Sequence, residues 1–265
     1  MPVEKGKAEK RQDEILRLLN INDLVTISEF CEKTGCSEST IRNDLASLES
    51  KGMLRRTFGG AVKTRITPSN VEDWGTRETI YLQEKQAIAN YVVDNLIVPN
   101  TTIILDAGTT CLEVARKIAE RDVRLTVLTN SARAALTLMP VSGRVDLYLF
   151  GGMYNAERGA FYDEYQRFAL EKMRASLFLM GINGVSADLG ITIMGGDEAS
   201  TKISMMNISA KTVALVDHSK VGRNSLKYVA ELSAIDAMVT DAGISDEAVK
   251  EFEGGGVRVL VAPME

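Results

Sequence analysis

The chain is poor in the residues that build metal and disulfide sites. It has one histidine and three cysteines, Cys31, Cys36 and Cys111, an odd number without C-x-x-C spacing. A disulfide scaffold and a structural zinc site are therefore not expected, and reduced thiols in a cytoplasm are the economical reading. No apolar run reaches membrane-spanning length, and the opening Met-Pro-Val-Glu-Lys-Gly-Lys lacks the apolar core of a signal peptide. These absences lead to the expectation of a soluble, cytoplasmic protein with no metal, no cofactor and no membrane partner. No short internal repeat or low-complexity tract is evident either.

What is present is globular in character. With 265 residues, 45% hydrophobic and 25% charged, the chain has room for a sizeable core and two domains. Its formal charge of −5 argues against indiscriminate nucleic-acid binding by the whole surface. The charge is uneven, however: residues 1–65 hold 12 Lys/Arg against 10 Asp/Glu, leaving 19 against 26 for the rest. Affinity for nucleic acid comes from neutralised phosphates, and one modest head supplies few. A weakly basic head on an acidic body thus fits a specific DNA binder that relies on oligomerisation.

The stretch from Gly35 to Gly52 carries the sharpest local signal. At helical period Ile41, Leu45 and Leu48 form one apolar stripe, with Ser39, Asn43 and Ala46 opposite and Arg42 on the flank. Ser37 is placed to cap the helix and Gly52 to close it. A buried back with a front of small polar residues plus Arg suits a major groove, though such a helix could also lie on an ordinary bundle. Upstream, Thr26-Ile-Ser-Glu29 reads as a capping box. It starts a short helix, with Ile27, Phe30 and Cys31 inward, that ends at Gly35. Two short helices joined by Thr34–Ser37 make a helix-turn-helix. A first helix is expected over 7–19 with Ile15, Leu16 and Leu19 inward and Lys7, Lys10 and Arg11 near phosphates. Met53–Val62 reads as strand, Gly59-Gly60 turn and return strand, a basic wing carrying Arg55 and Arg56.

This segment resembles the DeoR-type bacterial transcriptional regulators, whose signature is a TIRRDL-like recognition helix followed by L-x-R-x-H-G-G-A. Here the two motifs stand as Thr40-Ile-Arg-Asn-Asp-Leu45 and Leu54-Arg-Arg-Thr-Phe-Gly-Gly-Ala61. Asn43 replaces the second Arg and Phe58 the His. Asn pairs best with adenine and Arg with guanine, so the first departure bears on operator sequence. The expected DNA contacts are Ser37, Ser39, Thr40, Arg42, Asn43, Arg55, Arg56, Gly59 and Gly60.

Beyond a linker read at 63–75, with Pro68-Ser-Asn breaking the periodicity, a helix is expected over Thr79–Asn95. Apolar runs then recur at Thr102–Leu105, Leu125–Leu128, Val145–Phe150, Leu177–Met180, Thr212–Val216, Ala237–Val239 and Val257–Val261. Helix-like segments such as Cys111–Glu120 and Asp197–Ser209 lie between them. Such alternation predicts an α/β domain with a parallel sheet covered on both faces. The expected division is a winged helix-turn-helix over 1–62 and a sensor domain over 76–265.

In open α/β sheets ligands bind beyond the carboxyl ends of the strands. The loops there carry Asp106, Gly108, Thr109 and Thr110, then Thr129 and Asn130, Gly151 and Gly152, Gly181–Gly184, and Asp217 with His218 and Lys220. Small residues at helix starts offer N–H groups and hydroxyls to an anion, and Lys220 adds charge. A phosphorylated small molecule is the reading, although Gly and Thr also simply make turns. These loops resemble the family's sensor pattern D-S-G-T-T, T-N, G-G and D-x-S-K, with Ala107 in place of Ser. Arg77, Lys85–Ala89 and Glu198–Lys202 match as well. The resemblance implies a fold related to ribose-5-phosphate isomerases and coenzyme A transferases, a phosphorylated sugar or polyol as effector, and no catalysis. It makes the chain a repressor of carbohydrate uptake or catabolism genes, with operator DNA as partner and a dimer or tetramer as the working form. The alternative is a sugar-phosphate isomerase with Asp106, Asp217 or Glu198 as base and Lys220 as phosphate clamp. The attached DNA reader weighs against it.

Overall fold

Capped helices and a wing form one unit, and alternating strands and helices form another: residues 1–70 and 71–265 in the computed structural model. The residues described are 7–21, 24–50, 54–57, 59–63 and 74–264. Gly52, Phe58 and nearly all of the expected linker lie outside them.

The first unit runs α1 (Lys7–Ile21), β1 (Leu24–Thr26), α2 (Ile27–Thr34), α3 (Glu38–Ser50), β2 (Leu54–Thr57) and β3 (Gly60–Lys63). The capping box forms as expected, with Thr26 Oγ1 accepting from Glu29 N and the Glu29 carboxylate accepting from Thr26 N at 2.7 Å. Ile15, Leu19, Phe30, Ile41, Leu45 and Leu48 make the core. Leu18 joins them, while Leu16 and Cys31, expected inside, pack at the margin. The wing strands β2 and β3 pair antiparallel, and β3 also pairs with β1.

The second unit begins differently from the expectation. The sequence pattern points to one helix over 79–95; instead α4 (Trp74–Thr79) and α5 (Leu82–Asn95) are separated at Tyr81, whose φ of 53° lies in the left-handed region. That conformation costs energy for a bulky residue. The buried Lys85 amine offsets it by donating to the Arg77 and Ile80 carbonyls, which closes the end of α4. There follow β4 (Thr102–Leu105), α6 (Thr109–Glu120), β5 (Leu125–Thr129), α7 (Ala132–Leu138), β6 (Val145–Leu149), β7 (Met153–Asn155), β8 (Ala160–Tyr162) and α8 (Glu164–Glu171). The chain continues through β9 (Leu177–Gly181), β10 (Gly184–Ser186), β11 (Gly190–Ile193), α9 (Gly196–Asn207), β12 (Thr212–Leu215), β13 (Lys227–Ala230), β14 (Ala237–Asp241), α10 (Asp246–Gly254) and β15 (Arg258–Ala262).

All seven apolar runs became strands of one sheet, in the order β15-β14-β12-β9-β4-β5-β6. Every pairing in it is parallel. Helices α5, α6 and α7 pack on one face, and α8, α9 and α10 on the other. The sequence pattern did not reveal the β7–β8 hairpin or the small β10-β11-β13 sheet. The order reverses between β4 and β9: the chain walks outward through β5 to β6, then returns to the other side of β4. Such a switch opens a crevice at the carboxyl edge.

Candidate functional site

Two places gather the residues expected to carry function, one in each unit. In the first unit the back of α3 is fully buried through Ile41, Leu45 and Leu48, which leaves Ser39, Arg42 and Asn43 exposed on its front. Thr40 is half-buried beside them. Ser37 starts the helix: its Oγ accepts from Thr40 N at 3.4 Å and lies 3.0 Å from Ser39 Oγ. Helix α3 is fixed to α1 by Asp44, a buried carboxylate that accepts from Arg11 and, at 3.2 Å, from Gln12 Nε2. Arg11, expected near phosphates, is therefore occupied in holding the reader helix; the side chains of Lys7 and Lys10 lie outside the described residues.

On the same unit Arg42 rests against Glu38 at 3.3 Å, and Arg56 against Glu49 at 2.6 Å. Both pairs are open to solvent, so they are weak and can exchange for phosphate. Of the wing's expected contacts, Gly59 is exposed and its carbonyl accepts from Ile27 N at 2.9 Å. Gly60 is buried, and a Cβ there would come 2.1 Å from the Val25 carbonyl oxygen. The close approach of β3 to β1 thus requires glycine at 60, a packing reason for this residue. Arg55 lies in β2, but its side chain is outside the described residues.

In the second unit the crevice between β4 and β9 is lined with buried charge. Asp106, at the end of β4, accepts from Ala107 N at 2.8 Å, from Gly181 N at 3.0 Å and from the Lys202 ammonium. Lys202 is 1% exposed and also lies 3.3 Å from Glu198, one turn back on α9. Glu198 in turn faces Arg158, from the β7–β8 hairpin, at 3.6 Å. Burial pushes the Asp106 carboxyl up, with Lys202 opposing it. Burial alone would lower Lys202, but Asp106 and Glu198 outweigh it and hold the ammonium above the ordinary lysine range. An ammonium and two N–H groups are thus directed at the one Asp106 carboxyl.

Helix α6 starts beside this cluster with Gly108 at its head, φ 126° and no side-chain cap. A Cβ at Gly108 would meet nothing within 4 Å, and only glycine adopts this backbone freely. The first N–H groups of a helix have no partner within it and carry the positive end of its dipole. Thr109 and Thr110 are buried there, and Thr110 Oγ1 has no hydrogen-bond partner among the described residues. Along the same edge, at the end of β12, Asp217 is buried 3.2 Å from Lys220 Nζ. Burial disfavours the Asp217 carboxylate, but Lys220, the Ser219 hydroxyl and Lys85 together hold its pKa at about 2. His218 bonds Asp241 through Nδ1 at 2.7 Å and stands edge-on to Tyr81.

Asp106, Gly108, Thr109 and Thr110 thus stand at the end of β4 beside the switch, and Asp217 and Lys220 at the end of β12, one strand beyond β9. Thr129 and Asn130 are fully buried at the end of β5. The Thr129 hydroxyl accepts from Ser131 N at 3.0 Å, so it orders its own turn. Asn130 donates to the Phe161 carbonyl at 3.2 Å, and its Oδ1 has no partner among the described residues. Gly151 and Gly152 are exposed; the Gly151 carbonyl accepts from Gln166 at 2.6 Å, tying α8 to the hairpin. These two glycines shape the hairpin rather than the crevice. Local pattern assigns no role to Lys202 or Arg158, because contacts across the fold bring them in; the signals for Lys202 are its i,i+4 spacing from Glu198 and the resemblance of Glu198–Lys202 to the family's sensor pattern. Burial and the nearby Asp106 push the Cys111 thiol up. No metal-holding group of His, Cys, Asp and Glu occurs among the described residues, and no helix there is long and apolar enough to cross a membrane.

Two family models match the chain: the DeoR-like helix-turn-helix domain over residues 11–67 and the DeoR C terminal sensor domain over 81–242. Among similar proteins, the HTH-type transcriptional regulator GlpR of Haloferax volcanii is 32% identical over 95% of this chain and 96% of its own length. The HTH-type transcriptional repressor GlcR of Bacillus subtilis is 30% identical over 97% of each chain. The glycerol-3-phosphate regulon repressor of Escherichia coli K12 is 30% identical over 89% of this chain and 92% of its own. Among solved structures, ribose 5-phosphate isomerase A of Methanocaldococcus jannaschii aligns at a TM-score of 0.40 and 17% identity, over 53% of this chain and 55% of that one. Since the regulators match from the reader helix through the sensor, the isomerase alternative is not favoured. This chain belongs to the DeoR family of DNA-binding transcriptional regulators.

Proposed function

We propose that this regulator represses genes of carbohydrate or polyol-phosphate use and that a phosphorylated sugar or polyol, bound at the carboxyl edge of β4, β9 and β12, controls its hold on operator DNA. The observation that carries this reading is the start of α6 in the crevice, with uncapped N–H groups, the Thr110 hydroxyl and Gly108 at one side and Lys220 along the same edge. A phosphate there gains helix-dipole and charge-assisted contacts, and the hydroxyls of the effector meet the buried polar network around Glu198. Ser39, Arg42 and Asn43 read base edges while Arg55 and Arg56 meet phosphate. Two heads engage two half-sites, so the working form is a homo-oligomer, dimer or tetramer. If the effector favours a conformation with misaligned heads, a coupling of about 1–3 kcal/mol lowers DNA affinity roughly 5–150-fold.

A thermal-shift screen against phosphorylated sugars and polyols tests the site, because a ligand of the native state raises apparent stability. The effector raises the melting temperature of the parent. For Lys220→Ala the required concentration rises by the loss of one charge-assisted contact, about 1.5–3 kcal/mol. An unchanged concentration places Lys220 outside the site.

A further inference from the structure

Along one edge of the sensor unit lies a surface that a single copy leaves bare. Strand β6 is the last strand of the sheet, and Tyr148 and Leu149 on it are 52% and 38% exposed. The hairpin that follows shows Met153 and Tyr154 at 71% and 47%, and α8 shows Tyr165 and Phe168 at 78% and 59%. These elements are stitched into one edge. Tyr154 packs on Phe161 at 5.3 Å, and the Gln166 amide donates to the Gly151 and Phe161 carbonyls. Successive strand residues face opposite sides, so one residue of each strand pair joins Tyr165 and Phe168 of α8 on a given side of this edge.

The charges at the margin say what covers it. On α8, Glu164, Phe168 and Lys172 recur at four-residue spacing, with Tyr165 beside Phe168, so one stripe runs from an acid through two aromatics to a base. All four side chains are exposed. A two-fold axis at Phe168 lays two α8 helices antiparallel. It sets Glu164 of each copy against Lys172 of the partner subunit, Phe168 against its own copy, and the Tyr165 hydroxyl towards Glu171 of the partner subunit. A stripe complementary to its own reverse is the requirement of an isologous contact.

We propose that this edge, centred on Phe168 of α8 and extended by β6 and the β7–β8 hairpin, is the surface through which a second copy of this chain docks. The inference rests on the reading above that two heads bind one operator. Because the same hairpin carries Arg158 to Glu198, the interface and the effector crevice share an element, which gives the effector a route to the spacing of the heads.

The test uses the full chain in sedimentation equilibrium, with operator binding measured in parallel. The wild type is at least a dimer at micromolar concentration. F168E lowers the association constant at least tenfold with its secondary structure and cooperative unfolding retained, and operator affinity falls with it. E164K and K172E each weaken association by several-fold, and E164K/K172E together restore it, since the swap recreates both pairs across the axis. Restoration cannot come from a folding defect. If the wild type is oligomeric and F168E and E164K associate unchanged, something other than a second copy covers this edge, and the inference falls while the two-head reading stands. If the wild type is a monomer at concentrations that saturate the operator, the two-head reading falls and the inference with it. If F168E is monomeric yet binds the operator as tightly as the parent, the surface stands and the two-head reading does not.

Discussion

In the first unit Arg42 and Arg56 are about half exposed and rest on Glu38 and Glu49 at the rim, whereas in the second Lys202 is 1% exposed between Asp106 and Glu198. Both arrangements pair bases with acids, but the surroundings reverse what the pairing does. In water an ion pair contributes little and breaks readily, so the reader can trade glutamate for phosphate at small cost. In the crevice the charges have left water, and each persists only because the others are present. The head's ion pairs are thus open to exchange and the crevice's are held, which is the division the proposed function requires of a site that meets a long polyanion and one that encloses a small ligand.

The sharpest way to break that contrast is Lys202→Met. It leaves Asp106 buried without its cation, and loss of one partner of a buried pair costs about 3–5 kcal/mol. Thermal unfolding should show a large drop, and loss of less than about 1 kcal/mol would mean that the crevice is wetter than described. Arg42→Ala removes an exposed reader side chain: operator affinity should fall by about 1–3 kcal/mol in gel shifts. Stability should stay within about 0.5 kcal/mol, as for surface changes generally. Operator binding equal to the parent's removes α3 from the reading role.

The smallest expected effect concerns His218, the only histidine. Burial lowers its pKa, but the hydrogen bond and charge of Asp241, with Asp217 behind, raise it above the ordinary value. A raised folded pKa means that the contribution to stability is fully present below the unfolded value near ~6.5 and is lost as pH rises through the folded one. A proton NMR titration should place the midpoint above the ordinary histidine value, and Asp241→Asn should bring it down. A midpoint at or below that value in the parent would show that desolvation wins.

Much of this was readable along the chain. The seven sheet strands announced themselves because strands buried on both faces are continuous apolar runs. The capping box at Thr26 and the stripe of Ile41, Leu45 and Leu48 are equally local, and they placed the head. What stayed hidden depends on contacts formed only after folding. The break at Tyr81 leaves no apolar signature, since Lys85, the residue that stabilises it, lies within the next helix. Strands β7, β8 and β10 are three residues each, too short for a period to show. In the crevice, Asp106 and Gly108 were legible as the end of a strand and the start of a helix. Lys202, 96 residues from Asp106, stood out only within the family match of Glu198–Lys202, and its partner was not legible. Nor was the packing reason for Gly60, the Val25 carbonyl beside it.

The central claim, that a ligand in the crevice governs the reader, is tested most directly by titrating the phosphorylated sugar or polyol that shifts the melting temperature against the full chain on labelled operator, for the parent and for Gly108→Val. The variant places a branched side chain in the open space before α6, on a backbone that resists it, and its folding is checked by melting. The account predicts that both proteins occupy the operator without ligand, that ligand changes the affinity of the parent by roughly 5–150-fold, and that the variant does not respond. Equal responses at equal ligand concentration would contradict it.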